Sequence, residues 1–178
     1  MRRFLPCAVV LFSLSVPAYS QTPDTGMVAV GANVGAFLPD DQFEPAITID
    51  GIAEYYLTPR IGVRGLLGWT SPGFDGRDDD HFRQVRLLFN VTYNWEFIEW
   101  HPYVTIGAGA YFVRQKLDER PDPEGERRGG INLGGGVEYF TSTRQSIKGE
   151  FRWDFVSHPP GLPDASGATL TIGLKRYF

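Results

Sequence analysis

The sequence predicts an all-β fold, an eight-stranded antiparallel up-and-down barrel whose strands cross a membrane. Three features predict it: eight stretches of alternating residues, turn-forming residues between them, and connections that are alternately short and long. The eight stretches are residues 28–37, 46–57, 61–70, 83–95, 103–113, 130–140, 146–156 and 167–178. Each is close to the roughly 9–11 residues that a tilted strand needs to cross a bilayer. A period of two indicates strands, because successive side chains of a strand point to opposite faces.

Prolines and connection lengths support this division. Proline cannot donate a hydrogen bond to a strand ladder, so we expect a closed barrel to exclude it from strand interiors. Every proline after residue 22 is predicted to lie between strands or just before one. The short connections are residues 58–60, 96–102 and 141–145, and the long polar ones are residues 38–45, 71–82, 114–129 and 157–166. Short turns at the periplasmic end and long loops at the extracellular end are typical of outer-membrane barrels.

Residues 1–20 are predicted to be a cleaved secretory signal peptide, which leaves residues 21–178 as the barrel domain. A basic start, an apolar stretch through residue 16 and small residues before Gln21 form the usual layout. The apolar stretch is too short for a transmembrane helix. Cys7 is the only cysteine and lies in this segment, which excludes a disulfide framework from the predicted mature chain. A formal charge of −4 without a basic patch argues against a nucleic-acid partner.

Charged residues share one face of the predicted strands, and this face is predicted to line the barrel interior. A Lys or Arg on the lipid face near mid-membrane costs roughly 2–4 kcal/mol, so lipid would impose such a segregation. The predicted lumen network has five acids and five bases: Asp50, Glu54, Arg64, Arg86, Glu138, Lys148, Glu150, Arg152, Asp154 and Lys175. Only Arg83 and Arg176 fall on the apolar face, near strand ends where a long side chain can reach the interface.

The interior of an eight-stranded barrel is only wide enough for side chains to fill it. We therefore expect the opposed charges to pair across the lumen and to leave no open water channel. Small residues are predicted to leave room for the long side chains of Arg64, Arg86, Lys148 and Arg152. These small residues are Ala29, Gly31, Gly35, Gly107, Gly109, Gly134 and Gly136.

Aromatic residues are predicted to form two belts at the membrane–water interfaces, where amphipathic rings are favoured. The belt near the short connections would contain Tyr55, Tyr93, Trp95, Trp100, Tyr139 and Phe178. The belt near the long loops would contain Trp69, Phe112, Trp153 and Phe155.

Four segments of the sequence carry a family resemblance: AEYYLTPR at 53–60, HPYVTIGAG at 101–109, NLGGGVEY at 132–139 and the closing GLKRYF at 173–178. With them, the chain from residue 21 onward resembles the small eight-stranded outer-membrane β-barrels represented by the OmpA transmembrane domain and OmpX. The resemblance implies residence in the outer membrane of a Gram-negative-type bacterium, with outer-membrane lipid and the barrel-assembly machinery as partners. Terminal Phe178 resembles the assembly signal that this machinery reads, although the signal usually has an apolar residue where this chain has Arg176. The architecture serves many functions, so it transfers no activity.

No catalytic, cofactor-binding or metal site is predicted. His81 in an acidic loop, His101 at a turn and His158 are interpreted as ordinary surface histidines. Some eight-stranded barrels are lipid A-modifying hydrolases, but the Ser157-His158 pair lacks the His-x-Ser-Asn run that this resemblance would require. The acidic segment at 75–80 lacks the spacing of an EF-hand and is interpreted as a solvated loop tip.

The predicted function is that of a non-enzymatic, monomeric outer-membrane barrel with a filled polar lumen. It would contribute to envelope integrity or make surface contacts through its four long loops. Two alternatives come from other classes: a small-solute channel or transporter, and a secreted lipocalin-like carrier whose apolar residues would line the cavity. A lipid-modifying enzyme is the remaining alternative.

Overall fold

The computed structural model describes residues 23–40, 44–74, 77–97, 100–117, 120–121, 126–158 and 164–178. The strands are β1 (Val28–Pro39), β2 (Ala46–Tyr56), β3 (Ile61–Thr70), β4 (Gly73–Phe74), β5 (Arg77–Asn94), β6 (Trp100–Leu117), β7 (Arg120–Pro121), β8 (Glu126–Ser142), β9 (Gln145–Val156) and β10 (Gly167–Tyr177). Within these ranges no helix is long and apolar enough to cross a membrane. The predicted signal peptide lies outside the described residues and stays a prediction.

Eight long strands close into an antiparallel barrel, as the sequence predicts. The order around the wall is β1-β2-β3-β5-β6-β8-β9-β10, and the first strand pairs with the last from Ala29 with Tyr177 to Pro39 with Gly167. The two-residue strands β4 and β7 pair only with β5 and β6, respectively. Closure leaves no free edge in the wall, which a barrel in a membrane needs because lipid cannot satisfy unpaired backbone groups.

Side chains alternate between the interior and the outer surface along the wall strands, except at the start of β10 and at the register shift in β8. In β5, Arg86 is fully buried and Phe89 is 63% exposed, and in β9 Glu150 and Arg152 are buried whereas Ile147 and Phe151 are exposed. Most large apolar side chains therefore face outward, and the ten predicted lumen charges face inward. This arrangement is the reverse of that in a lipocalin-like carrier, whose apolar residues line the cavity.

Three strands run further than predicted at the long-loop end. β5, β6 and β8 have 17 or 18 residues, against 10–12 in the other wall strands. The prediction that residues 71–82 and 114–129 are wholly loop is therefore wrong, and His81 is a strand residue paired with Lys116. The four to six additional residues lengthen the sheet by roughly 13–20 Å on this side. Backbone pairing does not require apolar side chains, so the ladder continues where apolar alternation fades.

Three prolines lie inside strands, which corrects the prediction that all of them fall between strands or just before one. Pro121 is the second residue of the two-residue β7 and pairs with Lys116. Pro39 is the last residue of β1 and pairs only with Gly167. Pro102 is the third residue of β6, and its carbonyl accepts a hydrogen bond from Trp95 N at 2.9 Å. The nitrogen of an antiparallel residue faces the same side as its carbonyl. The missing N–H of Pro102 therefore faces Trp95, the first residue after β5, so the lost bond falls at the end of the ladder and not within it.

Candidate functional site

All ten predicted lumen charges are buried inside the barrel, and none is more than 3% exposed. They come from six of the eight wall strands, and β9 alone supplies four of them. Arg83 and Arg176 are exposed on the outer surface.

The contact between Arg64 and Glu150 crosses the diameter of the barrel. Arg64 lies on β3 and Glu150 on β9, and these strands are four positions apart in either direction around the eight-stranded wall. Arg64 Nη1 lies 2.5 Å from Glu150 Oε2, and the same guanidinium donates to Glu54 Oε2 at 3.2 Å. Tyr103 and Lys148 also donate to Glu150, at 2.8 and 2.9 Å. Glu150 therefore gathers donors from three different strands.

Lys175 joins Glu54 to a further carboxylate, Glu138, at the short-turn end of the lumen. Its Nζ lies 2.9 Å from Glu54 and 3.0 Å from Glu138, and it donates to the Tyr56 hydroxyl at 2.8 Å. Tyr177 also donates to Glu138. Each carboxylate next to Lys175 is therefore held by at least one more polar group.

A second cluster lies toward the long loops, where two arginines alternate with two aspartates. Arg86 contacts Asp50 at 2.9 Å and Asp154 at 3.4 Å. Arg152 contacts the same two carboxylates, at 3.5 and 3.2 Å. Four groups on β2, β5 and β9 therefore form a closed ring of opposite charges.

The two clusters form one neutral network. Arg152 Nη1 lies 3.5 Å from Glu150 Oε1, which links the ring of two arginines and two aspartates to the cluster around Glu150 and Lys175. All five acids and all five bases are connected through such contacts, so their formal charges cancel. Burying an unpaired ion in a medium of low dielectric constant is costly, and this pairing offsets the desolvation of each group.

Glycines provide the space for this network, but not only those that the sequence predicts. A Cβ at Gly68 would lie 2.9 Å from Arg86 Nε, and a Cβ at Gly62 would lie 2.8 Å from Glu54 Oε1. Among the predicted glycines, Gly31 lies against Lys175 and Gly136 against the Tyr103 ring. The predicted role of small residues is therefore served partly by β3, which the sequence reasoning did not include.

Sequence reasoning missed the inward-pointing aromatic residues. Tyr56, Tyr103, Tyr111 and Tyr177 are buried and contact the charged network, as when Tyr111 donates to Asp154 at 3.0 Å. The parity of each strand was the available signal, because Tyr56 follows the outward-facing Tyr55 by one residue and so points inward.

Two charged or titratable interior residues were also missed, because they lie just beyond the predicted strand limits. Arg128 is buried and contacts Glu126 at 2.8 Å. His101 is the second residue of β6, is buried, and has its ring centroid 5.0 Å from that of Phe140. Its interpretation as a surface histidine at a turn is therefore wrong. Both residues keep the inward parity of the strand beside them.

Uncharged residues cover both ends of the network. At the short-turn end, Phe140 and Tyr177 pack with ring centroids 5.2 Å apart, next to Tyr56 and Ala29. At the long-loop end, Gln84 donates to the carbonyl of buried Ala165 at 3.2 Å. An apolar row fills the middle of one wall, where Ile52, Leu66 and Leu88 pair in register.

The predicted interface aromatics lie on the outer surface. Trp69, Trp95 and Trp100 are exposed, and Trp153 is half-buried between Phe151 and Phe155. Trp100 begins β6 instead of lying in a turn, and its ring packs on Tyr139 at 4.9 Å. Phe178 directly follows β10, and its backbone exchanges two hydrogen bonds with Val28.

The remaining candidates for chemistry are not brought together. Ser157 and His158 are exposed beyond the end of β9. Residues 75 and 76 of the acidic segment lie outside the described ones, and residues 77–80 begin β5 instead of forming a loop tip. In the described part of the chain, no three His, Cys, Asp or Glu residues are grouped as metal ligands.

Comparisons with known proteins agree with this architecture. The sequence model of one protein family, the outer membrane protein beta-barrel domain, matches residues 7–178. The crystal structure of the outer membrane protein OprG from Pseudomonas aeruginosa is similar with a TM-score of 0.67 at 12% identity, over 87% of this chain and 97% of OprG. Neisserial surface protein A has a TM-score of 0.63 at 13% identity, over 85% of this chain and 96% of its own chain. The N-terminal barrel of Pseudomonas aeruginosa OprF has a TM-score of 0.62 at 13% identity, over 88% of this chain and 100% of the OprF barrel. A search of curated proteins gave no significant match.

Proposed function

The chain belongs to the outer membrane protein β-barrel domain family, and on that premise we propose that it is a non-enzymatic barrel with a lumen closed to solutes. Its role would be structural, or would be exerted through contacts made by its four long loops. The outer membrane is where proteins of this family reside, and the apolar outer surface suits that location.

The proposal of a closed lumen rests on the contact between Arg64 and Glu150. It joins opposite walls at 2.5 Å, and both side chains are buried. A solute that passed this level would have to separate the pair and also displace Tyr103, which donates to the same carboxylate. Leaving one member of a buried ion pair without its partner typically costs about 3–5 kcal/mol. The network therefore opposes the channel alternative.

The long-loop end supports the surface role. The extensions of β5, β6 and β8 are adjacent in the wall, so they form a hydrogen-bonded sheet on one side of the barrel. This sheet continues from the end that the sequence assigns to the cell exterior. It would hold the loops of this side away from the membrane surface, where a partner could reach them.

Planar-bilayer recording of the purified, refolded barrel tests the closed lumen. We expect no stable conductance from the wild type. The double variant Arg64→Ala/Glu150→Ala removes the contact across the diameter without changing the net charge, and we expect it to give measurable conductance. Arg60→Gln/Glu96→Gln is the matched control, because it removes an exposed pair outside the lumen. Stable, large conductance from the wild type would refute the proposal in favour of a channel.

A further inference from the structure

The outer surface of the barrel carries a groove at the short-turn end that crosses β8, β9 and β10. Its volume is about 590 Å³. Gly149 forms its floor, because it lacks a side chain and its four nearest outward neighbours all have one. Ile147 and Phe151 flank it along β9, and Val137 and Ile172 are its register partners on β8 and β10. A Cβ at Gly149 would meet no atom within 4 Å, so the space above it is open.

The same apolar surface continues toward β1. A second depression of about 440 Å³ shares Ile147 and Ile172 with the groove and extends to Val34 and Ile49. The rings of Trp100 and Tyr139 border the groove on its other side. Interfacial aromatic rings mark the level of lipid headgroups. The groove therefore begins at an interface and runs into the hydrocarbon region.

A smaller pocket of about 250 Å³, with a larger polar share than the two depressions, adjoins them and includes Arg176. It shares Ile147 and Leu174 with them, and Thr141 and Gln145 contribute polar groups. Arg176 is the charged residue that departs from an apolar position in the terminal strand, and it faces outward. Its guanidinium carbon lies 5.5 Å from the Phe178 ring centroid.

Arg144 adds a second positive charge next to this pocket. It immediately precedes Gln145 in the turn between β8 and β9, and its carbonyl accepts a hydrogen bond from Tyr177 N at 2.9 Å. Neither Arg144 nor Arg176 pairs with a carboxylate among the residues that the structure describes. By contrast, exposed Arg60 on another short turn contacts Glu96 at 3.2 Å. The pocket thus carries unneutralised positive charge at the interface.

The spacing between the charge and the groove falls within one lipid leaflet. Arg176 pairs with Gln145, and Gly149 lies four residues further along β9. At about 3.3 Å per residue this separates the charge from the groove floor by roughly 13 Å along the strand. A strand tilt of about 35–45° reduces this to roughly 9–11 Å along the membrane normal. Half of a hydrocarbon core of about 30 Å is roughly 15 Å. A headgroup at Arg176 would therefore place its acyl chain over Gly149.

We propose that this surface binds an anionic glycerophospholipid of the periplasmic leaflet, with its phosphate at Arg176 and Arg144 and an acyl chain in the groove above Gly149. Guanidinium groups suit phosphate oxygens because their donors form a planar fork. The proposal depends on the family assignment and on the short turns facing the periplasm. It does not depend on the closed lumen.

Native mass spectrometry of the barrel released from detergent tests the headgroup site. Phosphatidylglycerol and phosphatidylethanolamine with identical acyl chains are titrated in parallel. We expect the wild type to retain phosphatidylglycerol at least tenfold more tightly, and Arg144→Gln/Arg176→Gln to abolish this preference. Arg60→Gln is the matched control and should keep it. Equal binding of the two lipids by the wild type, or an equal loss in Arg60→Gln, overturns the proposal.

A second pair of variants tests the groove while it leaves both arginines in place. Gly149→Leu should fill the groove and lower the retention of both lipids at least fivefold. Gly65→Leu adds the same side chain to the outer face of β3, where a Cβ meets only a carbonyl oxygen at 3.9 Å, and should leave retention unchanged. Heat-modifiable gel migration checks the fold of each variant. Unchanged retention in Gly149→Leu, or a lipid-free dimer that this variant converts to monomer, overturns the proposal.

Discussion

Removing the negative charge of Glu150 should destabilise the barrel more than removing the positive charge of its neighbour Lys148. Glu150 contacts three cations, at 2.5 Å for Arg64, 2.9 Å for Lys148 and 3.5 Å for Arg152. Lys148 has Glu150 as its sole carboxylate partner among the described residues. Glu150→Gln therefore leaves a buried ammonium without a counter-ion, which typically costs about 3–5 kcal/mol. Lys148→Met removes one charge-assisted hydrogen bond and leaves Glu150 with two arginines, so we expect about 1.5–3 kcal/mol.

The double variant Glu150→Gln/Lys148→Met distinguishes this account from a general loss of packing. It removes the stranded ammonium, so its cost should fall below the sum of the single costs by about 0.5–3 kcal/mol. The free energy of unfolding is measured by urea titration in lipid vesicles, with tryptophan fluorescence and heat-modifiable gel migration as parallel readouts. Arg60→Gln/Glu96→Gln removes an exposed pair and should change it by less than about 1 kcal/mol. Equal single costs that add in the double variant would refute the reasoning.

Three further predictions concern the wall. Gly68→Ala places a Cβ 2.9 Å from Arg86 Nε and should cost about 1–3 kcal/mol in the same titration. Gly51→Ala, on the outer face, is the control and should change stability by less than about 0.5 kcal/mol. Equal effects of the two variants would contradict the crowding argument. Phe89→Arg puts a charge on the lipid face and should cost about 2–4 kcal/mol, and a neutral result would place that residue away from lipid. Deletion of Phe178 should lower the heat-modifiable fraction recovered from membranes, and unchanged assembly would show that this residue is not part of the signal.

The wall of the barrel could be predicted because its determinants are local. Parity within each strand follows from backbone geometry, so the four charges of β9 alone indicate which face is inside. The limits of β5, β6 and β8 at the long-loop end could not be predicted in the same way. Beyond the membrane, lipid no longer selects apolar residues on the outer face, and the alternation that marks a strand is lost. Arg128 was missed for this reason, although it keeps the inward parity of β8.

The contacts inside the lumen could be predicted as a class but not as pairs. Opposite charges on one face predict pairing, yet Arg64 and Glu150 are 86 residues apart and meet only because the wall closes with a particular stagger. The tyrosines show a different limit. An aromatic residue suits both a membrane interface and a packed lumen, so residue type could not separate Tyr55 from Tyr56. Their opposite parity does separate them, because Tyr55 points outward and Tyr56 points inward.

The sequence of charges along β9 bears on how this strand enters the membrane. Lys148, Glu150, Arg152 and Asp154 alternate in sign, and each consecutive pair is in contact, at 2.9, 3.5 and 3.2 Å. Such contacts form between residues two apart on one strand, so they need no neighbouring strand to supply a counter-ion. During insertion the strand can therefore present a row of zero net charge before the rest of the wall has arrived. A strand with four like charges would expose unpaired charges to acyl chains until an oppositely charged strand had inserted beside it.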